Sequence, residues 1–124
     1  AQPSACAPIV VAIEENREIQ PVTPGASIAE GTRISAPSRS GQIMRAITET
    51  NGTARAVSED EIVDALRELW GQGLYVEPTA AVGAAAFRQM AINGDVPEGE
   101  IVVLLTGSGL KATETIGKLV EGEN

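Results

Sequence analysis

Ile101-Val102-Val103-Leu104-Leu105-Thr106-Gly107-Ser108-Gly109 is the stretch on which the reading of this chain turns. A continuous apolar run entered through Pro97-Glu98-Gly99 and left through small residues predicts a parallel strand covered on both faces. Thr106 to Gly109 then form a loop at the strand's carboxyl end, where open α/β sheets bind their ligands. Glycines there let a ligand approach the backbone, and the hydroxyls of Thr106 and Ser108 can donate or accept. Gly107, Gly109 and Ala112 imitate a dinucleotide fingerprint, but the 15 residues left after Gly109 are too few for the βαβ unit that mechanism needs. A strand-to-helix turn without a ligand is the alternative that this local pattern leaves open.

Upstream, Pro78 opens a helix whose Ala80, Ala81, Ala84, Ala85 and Ala86 suit tight burial, closed by Asn93-Gly94. Glu77 stands at its mouth, where the helix dipole favours an ionised carboxylate whether or not a ligand is near. Ser58 and Glu61 predict a capping box. The helix behind it presents Ile62, Leu66, Leu69 and Trp70 and stops at Gly71-Gln72-Gly73. Ala54 to Val57 reads as a short strand. Ser40 onward, with Ile43, Met44 and Ile47, reads as an amphipathic helix ended by Asn51-Gly52. Ser27 to Ile34 predicts another short helix with Ser27 as N-cap and Glu30 at N3, and Gln20 to Gly25 a loop. Pro8 to Asn16 predicts a short buried helix, and Thr113 to Val120 a last one before a polar tail. The class is α/β, with more helices than strands and no internal repeat.

At 124 residues the chain is of single-domain size and can bury about two thirds of its unfolded surface. Hydrophobic residues make up 43% and aromatics 2%, so Ala, Val, Ile and Leu must build the core, with backbones close together. A net charge of -8 argues against nucleic acid, and no apolar run is long enough to span a bilayer. The absence of His removes Ser-His and Cys-His catalysis and His-ligated zinc. Glu59, Asp60 and Glu61 read as solvated, dipole-stabilising residues rather than a metal cluster. Lys111 and Lys118 read as surface amines, and Cys6 as a buried, inert thiol. One cysteine and no visible signal peptide set a cytoplasmic expectation, and a first residue other than Met suggests a piece of a longer protein.

Five motifs in order carry a resemblance: Gln2 through Ala7-Pro8-Ile9-Val10, Ser27-Ile28-Ala29-Glu30-Gly31-Thr32-Arg33-Ile34, Val57-Ser58-Glu59-Asp60-Glu61-Ile62, Glu77-Pro78-Thr79-Ala80-Ala81, and Leu105-Thr106-Gly107-Ser108-Gly109-Leu110-Lys111. Together they resemble the C-terminal part of the threonine synthases, pyridoxal-phosphate enzymes of the tryptophan-synthase-β-like fold (fold type II). The resemblance implies a single partial domain over residues 1–124, with few parallel strands packed against helices and incomplete on its own. It implies pyridoxal 5'-phosphate as cofactor, O-phosphohomoserine and water as substrates, and L-threonine and phosphate as products. Carried over residue by residue, it gives Thr106 as the hydroxyl partner of the pyridine nitrogen, with Gly107 and Ser108 in the same loop. Gly31, beside Ala29, would flank the ring, and Glu77 would lie either behind the groups that touch the cofactor or near the cofactor edge.

The same resemblance implies no catalytic residue in this chain. The Schiff-base lysine and the Gly/Asn-rich phosphate loop belong to the family's N-terminal part, so the chain alone should be inactive. Its expected partners are the remainder of the same enzyme and an amino-acid substrate, with the parent enzyme a homo-oligomer and neither nucleic acid nor membrane involved. Two positions depart from the pattern: Glu30-Gly31-Thr32 is closer to the dehydratase form, and Ala112 follows Lys111 where threonine synthases commonly have Asp. A serine/threonine dehydratase of the same fold is therefore one alternative. A non-catalytic α/β module that binds an amino acid or another subunit is the other.

Overall fold

The computed structural model describes residues 1–122. Its elements are β1 (Gln2–Pro3), α1 (Pro8–Glu14), α2 (Ser40–Glu49), β2 (Ala56–Val57), α3 (Glu59–Gly71), α4 (Pro78–Asn93) and α5 (Thr113–Glu121). Short 3-10 turns span Ser4–Cys6, Glu30–Thr32 and Gly109–Lys111. β1 and β2 pair in parallel, Gln2 opposite Ala56 and Pro3 opposite Val57. The architecture is thus α/β with a small parallel sheet, as the sequence implied.

The centre is the α3–α4 pair. Ile62, Ala65 and Leu66 on α3 recur at helical spacing and meet Ala81, Val82 and Ala85 on α4 in the main core cluster, joined by Val57 and Ala29. Alanines on α4 let the two backbones approach, which is how a chain with three aromatic residues fills its interior. The predicted capping box heads α3: the Ser58 hydroxyl accepts from the Glu61 amide, and the Glu61 carboxylate accepts from the Ser58 amide at 2.7 Å. Gly94, at φ 73°, closes α4.

α1 lacks a local side-chain cap, and its first amides are satisfied from β1 instead. The Gln2 Oε1 accepts from Ile9 at 2.9 Å and from Val10 at 3.2 Å, which is why a Gln is buried here. Cys6 is buried, as expected of an inert thiol.

Three expectations need correction. The Ile101 to Leu105 run is extended but joins no strand ladder among the described residues. It is covered on one side only: Val103 and Leu105 share a groove with Ala65 and Leu69 of α3 and Ala84, Phe87 and Ala91 of α4, whereas Val102 and Leu104 are 82% and 76% exposed. Its apolar composition foretold burial but could not say which surfaces do the burying. Ser27 to Ile34 forms no α-helix; only Glu30–Thr32 turns, as 3-10, and the Ser27 hydroxyl accepts from Ala29 without starting a helix. Glu59 is half-buried rather than solvated, because its Oε2 accepts the Ile28 amide at 2.9 Å. The last residues of the polar tail, 123 and 124, lie outside the described residues, and α5 extends one residue past Val120. Among the described residues no helix is long and apolar enough to cross a membrane.

Candidate functional site

Extended backbone preceding α4 and the segment following the 101–105 run are tied antiparallel. The Glu77 amide donates to the Gly107 carbonyl at 3.1 Å, the Gly109 amide to the Tyr75 carbonyl at 3.0 Å, and Val76 bridges Ser108. This short clasp sets the Thr106–Ser108 loop against the N-terminus of α4. Trp70 braces it from α3, donating its indole N–H to the Val76 carbonyl at 3.1 Å.

Gly107 lies so close to Glu77 that a Cβ added there would overlap the Glu77 carboxylate. Only glycine leaves that acid its place. Glu77 is the N-cap residue of α4, followed by Pro78 at N1, but its carboxylate makes no capping hydrogen bond. The acid is therefore turned across the Gly107 backbone rather than onto the helix's own amides. A Cβ at Gly109 would meet the Tyr75 ring at 2.7 Å, so the clasp is tight at both ends.

A third segment reaches the same place. The Gly31 amide donates to the Thr79 Oγ1 at 3.1 Å, and a Cβ at Gly31 would come within 2.9 Å of that oxygen. Ala29, fully buried, anchors the turn, its carbonyl accepting from the Thr32 amide and hydroxyl. Gly31, Glu77 and Gly107, far apart in sequence, thus converge on the first turn of α4. Thr79 ties Gly31 to that turn, and sequence reasoning gave it no role: the residue stands in the Glu77-Pro78-Thr79 motif, but a hydrogen bond across 48 positions has no local signature.

Thr106 is exposed, on the same outward face as Val102, Leu104 and Ser108. The Ser108 Oγ accepts from the Leu110 amide at 3.3 Å and so caps the turn that follows. Lys111 is exposed. Lys118 is exposed as well and pairs with Glu114 at 2.9 Å, which raises the ammonium's pKa and lowers the carboxylate's through their mutual hydrogen bond and charge. Neither is the desolvated amine that Schiff-base chemistry needs. Among the described residues no group of acids, cysteines or histidines is arranged to hold a metal ion.

The description "pyridoxal-phosphate dependent enzyme" is matched by residues 1–107. The chain belongs to that family. A threonine synthase of Methanosarcina acetivorans is 33% identical over 118 residues, 93% of this chain and 29% of the relative. A second, of Methanocaldococcus jannaschii, is 34% identical over 113 residues, covering 89% of this chain and 28% of the relative. Among solved structures, a threonine deaminase of T.th. superposes with a TM-score of 0.66 at 28% identity, over 86% of this chain and 37% of that one. Maize serine racemase, at 18% identity and a TM-score of 0.69 over 94% of this chain, shares the fold. The chain therefore spans under a third of the curated relatives it matches and belongs, with them, to enzymes dependent on pyridoxal phosphate.

Proposed function

We propose that this chain forms one wall of the cofactor site of a threonine synthase, a lyase acting in the cytoplasm on O-phosphohomoserine and water to give L-threonine and phosphate. The observation that carries the reading is the convergence of Gly31, Glu77 and Gly107 at the head of α4, two glycines packed where any side chain would collide. Two backbones without side chains at one helix head are the kind of surface that a flat heterocycle can approach. Bound pyridoxal phosphate supplies an electron sink; the protein tunes it through the group set against the ring nitrogen.

Thr106 presents a neutral hydroxyl to that nitrogen, which, unlike an Asp, need not hold it protonated. Gly107 permits the approach, Gly31 borders the ring face, and Glu77 fixes the Gly107 backbone from behind. Ser108 shapes the loop by capping its exit. Because Thr106 is exposed here, the weight of the reading falls on Gly107 and Gly31, beside which Glu77 and Thr79 occupy the place a side chain would take. The tethering lysine and the phosphate grip would come from the rest of the enzyme, since neither lysine described above is desolvated. This chain alone would then be inactive.

A serine/threonine dehydratase is the second reading, favoured by the threonine deaminase neighbour and by Glu30-Gly31-Thr32. The test is direct. The intact protein with pyridoxal phosphate should release phosphate from O-phosphohomoserine and little ammonia from L-threonine; the reverse pattern would assign it to the dehydratases.

A further inference from the structure

Between α3 and α4 the turn carrying Gly31 is held by two side chains, one from the first turn of each helix. Glu59 Oε2 accepts the Ile28 amide at 2.9 Å, and Thr79 Oγ1 accepts the Gly31 amide at 3.1 Å. Inside the turn the reinforcement is local: Thr32 donates its amide and its hydroxyl to the Ala29 carbonyl at 3.0 and 2.8 Å, the Arg33 amide donates to the Glu30 carbonyl at 3.1 Å, and the Ala29 amide to the Ser27 hydroxyl at 3.1 Å. A turn of three residues has no ladder of its own to hold it in place, so its position depends on these long-range bonds. Thr79 is also the neighbour that a Cβ at Gly31 would strike, at 2.9 Å from Oγ1 and 3.0 Å from Cγ2. Its branched side chain is confined in a helix to two main rotamers, and the one adopted here meets the Gly31 amide.

We infer that Thr79 is a positioning residue: its hydroxyl latches the Gly31 peptide to the head of α4 and so sets the distance between the Ala29–Gly31 turn and the Gly107 loop. The inference rests on the cofactor reading proposed above and deepens it by naming the group that fixes where the Gly31 backbone sits at the head of α4. Thr79 touches neither substrate nor cofactor. It acts through Gly31, and the hydroxyl rather than the bulk is what matters.

The intact protein carrying Thr79→Val, Thr79→Ala or Thr79→Ser distinguishes these roles. Removing the acceptor should speed hydrogen exchange of amides 29–32 about three- to tenfold and weaken retention of pyridoxal phosphate, followed by its visible absorbance, by a similar factor. Thr79→Ser should restore both, a rescue that loss of bulk alone would not give. Thr79→Ala serves if the buried methyl of Val distorts the helix head. The inference is overturned if the hydroxyl-free variants exchange and retain cofactor like wild type, if exchange quickens with retention unchanged, or if Ser is as impaired as Val. Wild-type protein that develops no cofactor absorbance would overturn the cofactor reading, and this inference with it; normal wild-type absorbance with unresponsive variants would overturn the latch alone.

Discussion

Gly107 shows how one residue type follows from its neighbours. Its carbonyl accepts the Glu77 amide, and its missing side chain leaves room for the Glu77 carboxylate. A methyl group there must push that carboxylate, the far end of a flexible side chain, aside or open the clasp, at a cost of about 0.5–1.5 kcal/mol. In the intact protein Gly107→Ala should therefore weaken pyridoxal-phosphate retention about two- to tenfold. Titration of the variant with cofactor checks this, and affinity equal to wild type would show that the Glu77–Gly107 contact does not shape the site. Gly31 obeys the same logic against Thr79, but there the obstacle is a short branched side chain within the helix rather than the end of a longer flexible one.

At the scale of elements, the capping box of α3 makes a prediction about pH. Glu61 accepts from the Ser58 backbone amide, and that bond, more than the smaller contributions of the Ser58 hydroxyl, Gln89 and Arg88, holds its carboxyl below the ordinary value of 4.5 against the opposing effect of burial. A carboxyl lowered on folding stabilises the fold above its unfolded pKa, and the gain disappears as pH falls through the folded value. Glu61→Gln should thus lower the stability of the intact protein by a few tenths to about 1 kcal/mol at neutral pH, with the gap closing well below pH 4.5. Denaturant titrations at the two pH values measure it; a gap independent of pH would refute the assignment.

That box is legible in the sequence because all its partners lie within four residues, as are Pro78 at the head of α4 and Gly94 at its foot. Other elements are not. β1 is two residues long, too short for periodicity, and its partner β2 lies 54 positions away. The turn at Glu30–Thr32 reads as part of a helix because Ser27 and Glu30 have capping chemistry; what holds it comes from Glu59 and Thr79, 31 and 48 positions distant from the amides they accept. In the site, Glu77 and the Thr106–Ser108 loop are visible as a helix mouth and a small-residue loop. Their contact, and the bond from Gly31 to Thr79 beside it, require the tertiary fold.

Across the whole molecule the apolar surface is unevenly covered. Val102 and Leu104 face away from the α3–α4 pair, and Leu110, 74% exposed, lies just beyond them in sequence. Large apolar side chains left this exposed along one segment favour association. Expressed by itself, residues 1–124 should self-associate or unfold without sharp cooperativity, and Leu104→Glu should reduce the association. Sedimentation at several concentrations tests this; a monomer with a steep two-state unfolding transition would contradict it.

In the proposed enzyme the loop at position 106 would meet the ring nitrogen of a bound vitamin B6 cofactor. The most direct measurement is the ¹⁵N chemical shift of that nitrogen in the intact protein loaded with labelled pyridoxal phosphate, comparing wild type with Thr106→Asp. An unprotonated nitrogen in the wild type that becomes protonated in the variant is the predicted result. Identical shifts in the two proteins would place Thr106 away from the ring and contradict the account.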